Sequence, residues 1–379
     1  MAFRKSVEEK KEQEDLQELF PPHKIFLNLT EGLKKKIVYL SQEKHYLIRS
    51  EGDLYVVQSK GIGSGSFGSV NKGWELSESD TEEKFDFLPY AFKFAPTYDD
   101  ETKEAVELER KALNALLDKD AKTIQIENTT ILIMKYLPGE QLISDAGILH
   151  PAIAKLPLVQ KLDLVIAILD QLNSVHQKGW AHGDIKGQNI LFILDEKTNK
   201  PTVYFTDYGL SRDVSTGPAP VFSPGSPGHL APERVKEQIL TTQSDIYSIT
   251  TDVMLLLGVS NPLEDKLAEK TLPKDSVKAI ENIFSQLNPA ISKNAKEMLA
   301  KPVIDMLARM KDTDMRTRPT AAEASAFFKG FREFCDAYQR DKTKKSFFTS
   351  KEKHDKQLIT SFLKEHADST YVKKLAPHK

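Results

Sequence analysis

The chain has 379 residues, of which 40% are hydrophobic and 28% are charged, a composition typical of a globular protein that can bury a core. Its formal net charge is −2, so no global basic excess points to nucleic acid or to a membrane surface. Cys335 is the single cysteine, which excludes an intramolecular disulfide and a cysteine-based zinc site and indicates a reducing compartment. At about 150 residues per domain, the length predicts two to three domains or one large two-lobed unit.

No stretch of the sequence predicts a membrane segment. The start, MAFRKSVEEKKEQE, lacks the apolar core of a signal peptide. The longest apolar stretch, 246–259, contains Asp252 and is too short to span a bilayer. We therefore expect an intracellular, cytoplasmic protein.

Residues 1–52 form an N-terminal extension that we predict to be partly helical, since a charged helical stretch at 6–20 is stopped by two prolines. From residue 53 onward the pattern favours strands, with an acidic spacer at 77–86. The strands predicted in this part are 53–62, 68–76, 87–95, 123–127 and 130–136, with a helix at 101–117.

After Pro138-Gly139 the chain is predicted to be mostly helical. The clearest amphipathic helix covers 158–178, with Gly179 as its C-terminal cap. Two short strands are predicted at 190–194 and 202–206. The last segment, 336–379, is a basic tail with 11 Lys and Arg against 6 Asp and Glu.

A glycine-rich segment, GSGSFGSV at 63–70, lies between two predicted strands. Gly63, Gly65 and Gly68 permit a tight turn whose N–H groups can approach phosphates, because no Cβ intervenes. By themselves such glycines are more often simple turn residues. Their position between two strands argues against a Rossmann dinucleotide site.

A lysine and a glutamate are predicted to pair inside this β-rich part. Lys93 ends the alternating stretch YAFK at 90–93. On the predicted helix, Glu109 shares a face with apolar residues, whereas Glu107 shares a face with charged ones. An unpaired buried charge is costly, so Lys93 is the expected partner of Glu109.

Three further motifs follow in the helical part. HGDIKGQN at 182–189 places an acid, a lysine and an amide in one short loop. DYG at 207–209 follows a predicted strand, and APE stands at 231–233. Taken singly, a polar surface loop or a chance turn would account for each of them.

Taken together and in order, these motifs resemble the eukaryotic-type serine/threonine protein kinases over about residues 53–335. GSGSFGSV is similar to the Gly-rich loop, YAFK to V-A-I-K, HGDIKGQN to H-R-D-L-K-x-x-N and DYG to D-F-G, and APE is identical. The resemblance implies an α+β, bilobal fold. Its N-lobe, at 53–137, would hold an antiparallel sheet and one helix, and its C-lobe, at 138–335, would be mostly helical.

The resemblance also implies transfer of the γ-phosphate of ATP to a serine or threonine hydroxyl of a protein substrate. Lys93, held by Glu109, would grip the α and β phosphates. Asp184 would orient the acceptor hydroxyl and take its proton, and Lys186 would lie near the γ-phosphate. A lysine at this place is typical of the serine/threonine class.

Mg²⁺ is the implied metal, with Asp207 and Asn189 as its ligands. The resemblance places the other nucleotide contacts in the Gly-rich loop, the adenine pocket and the hinge: Ile62, Gly63, Gly65, Gly68, Val70, Ala91, Lys93, Met134, Lys135, Leu137 and Leu191. Outside the chemistry, it pairs Glu233 with Arg318 and lets Asp245 cap the backbone of the catalytic loop.

One departure from the family pattern concerns regulation. Gly183 stands where most regulated kinases carry an arginine that binds a phosphate on the activation loop. We therefore expect that activity does not depend on a single activation-loop phosphate. The hydroxyls available in 207–233 are those of Ser211, Ser215, Thr216, Ser223 and Ser226. Ser226 fits the small hydroxyl residue that lies near the catalytic aspartate in this family.

Two other functions stay open. His-Gly-Asp also resembles the catalytic loops of aminoglycoside, choline and lipopolysaccharide kinases, which makes a small-molecule or lipid kinase the first alternative. Lys186, the three-glycine loop and APE favour a protein substrate. The second alternative is a pseudokinase scaffold, although such chains typically lose one of the metal or catalytic residues, and none is lost here.

The tail and the origin of the chain allow weaker interpretations. The lysines of 336–379, interleaved with phenylalanines, suit either a solvated tail, which we favour, or contact with anionic membrane lipid. In style the sequence is similar to effector kinases of intracellular bacteria, which would place it in host cytosol. The substrate, the regulator and the oligomeric state do not follow from the sequence.

Overall fold

The computed structural model describes residues 45–50, 53–65, 68–76, 89–97, 99–117, 120–126, 128–221, 225–259, 274–286 and 293–344. The chain divides into two compact units between Leu137 and Pro138. The helix predicted at 6–20, the acidic spacer and most of the basic tail lie outside the described residues.

The described part of the first unit is an antiparallel sheet of six strands with one helix. Its strands are β1 (His45–Ser50), β2 (Asp53–Gly65), β3 (Gly68–Leu76), β4 (Pro89–Pro96), β5 (Lys122–Ile126) and β6 (Thr129–Lys135). They are ordered β1-β2-β3-β4-β6-β5. Alternation along the strands buries one core cluster, formed by Ile48, Tyr55, Val57, Phe92, Ile131 and Ile133.

Strand β1 is a difference from the sequence prediction, which assigned 45–50 to the N-terminal extension. Its six residues pair with β2 from His45 opposite Gln58 to Ser50 opposite Asp53. So short a segment carries little periodic signal, and its partner strand supplies the hydrogen bonds that fix it. The sheet therefore begins before residue 53.

The helix of the first unit, α1 (Asp100–Leu116), begins at a capping box. The Asp99 side chain accepts a hydrogen bond from the Thr102 backbone N–H, and Thr102 Oγ1 accepts one in return from the Asp99 N–H. Val106, Ala112 and Leu113 are buried on one face. Glu109 is buried on that same face, as the pattern of apolar neighbours predicted.

The second unit is mostly helical. Its helices are α2 (Pro151–Ala154), α3 (Leu158–Gln177), α4 (Pro232–Lys236), α5 (Thr242–Leu256), α6 (Lys274–Ile283), α7 (Lys293–Met310) and α8 (Ala321–Lys344). Helix α3 ends before Gly179, which has φ +79° and provides the predicted left-handed cap. Together with the β-rich first unit, these helices confirm the predicted α+β class.

Short strands connect the helices of the second unit. They are β7 (Glu140–Gln141), β8 (Trp180–Ala181), β9 (Ile190–Leu194), β10 (Pro201–Phe205), β11 (Arg212–Asp213), β12 (Ala219–Pro220) and β13 (Ile239–Leu240). The β9–β10 hairpin pairs Ile190 with Phe205, and the Thr206 N–H donates to the Asn189 carbonyl at 3.0 Å. The polar loop before β9 and the DYG turn after β10 are therefore side by side.

The last two features of the fold are the single cysteine and the apolar character of the helices. Cys335 is fully buried, and burial raises the pKa of its thiol, as expected of a structural rather than a reactive cysteine. Among the described helices, none combines the length and the apolar character that a bilayer crossing requires.

Candidate active site

A buried ion pair joins β4 to α1 in the first unit. Lys93 Nζ lies 2.8 Å from both carboxylate oxygens of Glu109, and both side chains are almost fully buried. The nearby Glu107 instead pairs with Arg110 on a more exposed side of the helix. Lys93 therefore pairs with the glutamate on the apolar face of the helix. A buried carboxylate needs a cation nearby, whereas an exposed one can be solvated by water.

The residues predicted to bind nucleotide lie on four adjacent strands of the first unit, except Leu137, which is two residues beyond the end of β6, and Leu191, which is on β9 of the second unit. The β2–β3 turn pairs Gly65 with Gly68 and Gly63 with Val70. A Cβ on Gly68, whose φ is +132°, would overlap the carbonyl oxygen of a β4 residue. The turn can approach β4 this closely only because residue 68 is a glycine and has no Cβ.

The register of the sheet brings the remaining first-unit residues together. Val70 lies opposite Lys93, and Ala91 lies opposite Met134. Lys135 and Leu137 follow Met134 at the end of β6. Ile62, which was predicted to contact adenine, is 49% exposed on β2. The predicted nucleotide contacts of this unit therefore form one continuous strip across β2, β3, β4 and β6.

In the second unit, three side chains form a closed hydrogen-bonded triangle. Lys186 Nζ lies 2.9 Å from Asp184 Oδ2 and 2.6 Å from Ser226 Oγ, and Ser226 Oγ lies 2.8 Å from Asp184 Oδ1. Ser226 is 42 residues away from Asp184 along the chain. The structure therefore places the predicted acid, lysine and hydroxyl in direct contact.

Asp184 is ionised within this triangle. Burial by itself would raise the pKa of the Asp184 carboxyl, but the hydrogen bond and the charge of Lys186 oppose burial, and together with the smaller effects of Ser226 and His182 they outweigh it. The hydrogen bond from Ser226 acts in the same direction, so the pKa of this carboxyl lies below its ordinary value. A carboxylate that is negative at neutral pH can accept a proton from a hydroxyl placed beside it.

Asn189 contacts this triangle, and Asp207 follows Thr206, whose N–H donates to the Asn189 carbonyl. Asn189 Nδ2 donates to the Asp184 carbonyl at 2.8 Å and to Asp184 Oδ2 at 3.2 Å, so its amide oxygen is the atom available to a cation. Asp207 follows β10 with φ +60°, in the left-handed region that few residues other than glycine adopt. One carboxylate and one amide oxygen form a hard donor set, which fits Mg²⁺.

The backbone of the catalytic loop is held by a buried carboxylate on α5. Asp245 accepts hydrogen bonds from the backbone N–H of His182 at 2.7 Å and of Gly183 at 2.9 Å. His182 Nδ1 accepts from the Asp184 N–H, so Nε2 carries the proton and donates to the Thr206 carbonyl at 3.1 Å. These bonds hold the backbone on both sides of Gly183. They agree with the capping role that the family resemblance implied for Asp245.

A comparison with family models decides what this arrangement belongs to. The model described as "Protein kinase domain" matches residues 56–327, which is most of the chain. The chain belongs to the protein kinase domain family. The matched segment begins in β2 and ends in α8, so it contains every motif on which the resemblance rested.

Several curated protein kinases are similar to this kinase domain at low identity. Death-associated protein kinase 2 of Homo sapiens is 26% identical over 253 residues, covering 63% of this chain and 65% of that protein. Serine/threonine-protein kinase nekl-2 of Caenorhabditis elegans is 27% identical, covering 51% and 54%. Probable serine/threonine-protein kinase PknB of Lactococcus lactis is 26% identical, covering 49% and 29%. The chain thus spans less than two thirds of these relatives, and the resemblance to eukaryotic-type serine/threonine kinases is confirmed.

Three contacts of the kinase domain were missed by the sequence analysis. His229 Nε2 lies 3.4 Å from a carboxylate oxygen of the buried Asp252 on α5. Ser248 Oγ donates to the His229 carbonyl at 2.7 Å, so the segment after Ser226 is tied to the same helix. Asp252 was itself the signal, because an acid in an apolar helix needs a partner. The other missed residue is Arg234, which donates to the Gly183 carbonyl at 2.8 Å.

Proposed function

We propose that this protein is a serine/threonine protein kinase that uses ATP and Mg²⁺ to phosphorylate protein hydroxyls. The observation that carries the proposal is the triangle of Asp184, Lys186 and Ser226 in a chain of the protein kinase family. Two of the named relatives are called serine/threonine-protein kinases, which supports the same acceptor class here.

In this proposal each residue of the triangle has one task. Asp184 orients the acceptor hydroxyl and takes its proton as the oxygen attacks the γ-phosphorus. Lys186 neutralises charge on the phosphoryl group being transferred. Ser226 holds the second oxygen of Asp184, which limits the carboxylate to one orientation. Lys93, fixed by Glu109, binds the α and β phosphates.

Asn189 and Asp207 would hold Mg²⁺ in the proposed reaction, in agreement with their oxygen donor set. When bound, the metal neutralises charge on the phosphate oxygens. Asn189 has a second task, because its Nδ2 group holds the Asp184 backbone and side chain. The strip formed by Ile62, Val70, Ala91 and Met134 is proposed to contact adenine, together with Leu191.

We further propose that activity does not depend on a single activation-loop phosphate. The segment after Asp207 is already held by backbone pairing, because β11 pairs with β8 and β12 pairs with β13. Val214 and Val221 add a small apolar cluster with Ala181 and Leu240. These contacts order the segment from Arg212 to Val221 without any added charge.

The hydroxyls of the segment support this second proposal. Ser211 is buried and donates to the His182 carbonyl at 2.8 Å, and Ser226 belongs to the triangle. Ser215 Oγ donates to Asp213 at 2.6 Å, so a phosphate there would meet a carboxylate. Thr216 is exposed, and Ser223 lies outside the described residues.

Phosphate transfer from γ-labelled ATP with Mg²⁺, to a generic protein substrate and to the chain itself, tests the main proposal. Asp184→Asn and Asp207→Asn should each lower transfer by about 10²–10⁴-fold, because they remove the base and a metal ligand. The matched control is Asp145→Asn, which changes an exposed acid of the same unit and should leave transfer unchanged.

Several outcomes would overturn the main proposal. Transfer that survives Asp184→Asn would exclude this residue as the base. Binding of ATP with no transfer to any protein would favour a small-molecule or lipid acceptor, and no binding of ATP would favour a scaffold.

The phosphate-independent activity has its own test. The triple change Ser215→Ala, Thr216→Ala and Ser223→Ala should keep transfer within about twofold of the unchanged chain, because Ser215 is hydrogen-bonded to Asp213 and Thr216 is exposed. Loss of most transfer in a folded triple variant would show that a phosphate on this segment is needed.

A further inference from the structure

The short helix α4 carries two charged residues that make contacts in different parts of the second unit. Glu233 pairs with Arg318, which anchors the helix to the segment that precedes α8. Arg234, the next residue, is 7% exposed, and its Nη1 donates to the Gly183 carbonyl at 2.8 Å. Glu233 thus anchors the helix, and Arg234 connects the helix to the catalytic loop.

The Arg234 guanidinium lies against two glycines. A Cβ built on Gly225 would be 3.3 Å from Arg234 Nη2, and the carbonyl of Gly183 accepts from Nη1. Gly183 directly precedes Asp184, and Gly225 directly precedes Ser226. One planar cation therefore donates to the peptide segment that carries the acid and lies close to the segment that carries the hydroxyl of the triangle.

Both glycines have backbone angles that suit this approach. Gly183 has φ +83° and Gly225 has φ +68°, and a Cβ on Gly183 would overlap the Leu210 carbonyl oxygen. A side chain at either position would be strained.

The charge of Arg234 is surrounded by groups of the same network. Asp245, Asp184 and Glu233 stabilise it, whereas Arg212 opposes it. Burial of an arginine is costly, and this one is buried among groups that hold the catalytic loop. Its position is therefore suited to fixing that loop rather than to covering apolar surface.

We propose that Arg234 is a positioning residue for phosphoryl transfer, which holds Asp184 and Ser226 in register through the peptide units that precede them. This inference rests on the proposed kinase activity. It assigns to Arg234 a constitutive role, since the guanidinium reaches the Gly183 carbonyl without a phosphate between them.

The test compares the steady-state kinetics of Arg234→Gln, Arg234→Lys and the matched control Lys236→Gln, an exposed lysine on the same helix. Arg234→Gln should lower kcat by about 10- to 100-fold, because misplaced reacting groups cost rate. The KM for ATP should change by less than about twofold, because none of the predicted nucleotide contacts lies on α4. Arg234→Lys should recover part of kcat, and Lys236→Gln should behave as the unchanged chain.

A double-mutant cycle with Ser226→Ala separates positioning from simple support of the fold. If Arg234 acts through the register of Asp184 and Ser226, the losses in kcat from Arg234→Gln and Ser226→Ala will not multiply. Thermal unfolding of each variant is measured beside the kinetics. If Arg234→Gln does not fold, Arg234→Lys, which keeps the charge, is used in the cycle.

Two results would overturn the inference while leaving the kinase proposal standing. In the first, the unchanged chain is active and the Arg234→Gln variant keeps the same kcat, although the melting temperature of the variant is lower. The other is fully multiplicative losses in the cycle. An unchanged chain without any transfer would instead overturn the proposed function.

Discussion

Glu233 and Arg318 lie 85 residues apart in the sequence and form a buried, two-point ion pair. Arg318 Nη1 and Nη2 donate to the two carboxylate oxygens of Glu233 at 2.7 and 2.9 Å. Ser244 Oγ donates to the same carboxylate at 2.7 Å, and Arg318 Nε donates to the Asp312 carbonyl at 2.7 Å. The pair thereby connects α4, the start of α5 and the segment before α8.

Breaking this pair should destabilise the fold strongly. Arg318→Met leaves Glu233 buried without its cation, which should lower the free energy of unfolding by about 3–5 kcal/mol. The control is Arg316→Met, which removes an 83% exposed arginine from the same turn and should change stability little. Denaturant unfolding of both variants is the measurement, and equal losses would contradict the importance given to burial.

The two acids of α1 should differ in their effect on phosphate transfer. Glu109→Gln removes the charge that holds Lys93 and should lower transfer by about 10- to 100-fold, because the lysine loses its fixed position. Glu107→Gln changes only a surface pair with Arg110 and should have little effect. Initial rates at saturating ATP compare the two variants. Similar losses would show that the Lys93 pair does not matter for transfer.

Tyr208→Phe should leave the protein as stable as before, or more stable. The Tyr208 ring is 1% exposed and lies 4.9 Å from the His182 ring. Within the described part of the chain, its hydroxyl oxygen has no hydrogen-bond partner although it is buried. Removing an unsatisfied buried group takes away a desolvation cost. Thermal unfolding is the measurement, and a marked fall in melting temperature would mean that the hydroxyl has a partner.

Stability should fall as the pH drops through the range in which an unfolded histidine titrates. Burial lowers the pKa of the His182 imidazole, although Asp245 opposes this effect. Below about pH 6.5 the unfolded chain therefore takes up a proton that the folded chain does not, which costs at most about 1.4 kcal/mol per pH unit. The stability that the neutral ring provides is complete above that pH.

Denaturant unfolding at pH 8, 7, 6 and 5 measures this dependence. In His182→Phe the fall in stability between pH 7 and pH 5 should be shallower, because the buried titrating group has been removed. An identical slope in the variant and in the unchanged chain would assign the acid sensitivity to other groups. His182→Phe is also expected to be less stable at pH 8, since the Thr206 carbonyl loses its donor.

The regular elements were largely predictable because each carries its own periodic signal. Strand β3 was predicted with the observed bounds, and α3 ends one residue before its predicted end at 178. Strand β4 begins at Pro89, two residues later than predicted. Strand β1 was missed, because its hydrogen bonds come from β2 and not from a pattern of its own.

Within the candidate site, the sequence was sufficient where a motif or a helical face selects one residue. Glu109 was distinguished from Glu107 by the apolar neighbours on its face, and the buried pair with Lys93 agrees with that choice. The family pattern predicted that Ser226 lies near Asp184, and the 2.8 Å distance between Ser226 Oγ and Asp184 Oδ1 agrees with it. His229 and Asp252 were not paired in advance, since no spacing rule connects a loop residue to the middle of a helix.

The order of the motifs and the apolar faces of the helices and strands could be predicted from local spacing and composition, and the family resemblance implied the α+β class. Three features required the folded chain: Arg234 reaches Gly183, Asp252 lies beside His229, and two short strand pairs hold the segment after Asp207. These contacts join residues far apart along the chain. Their geometry follows from how helices and strands pack, and no local pattern encodes that packing.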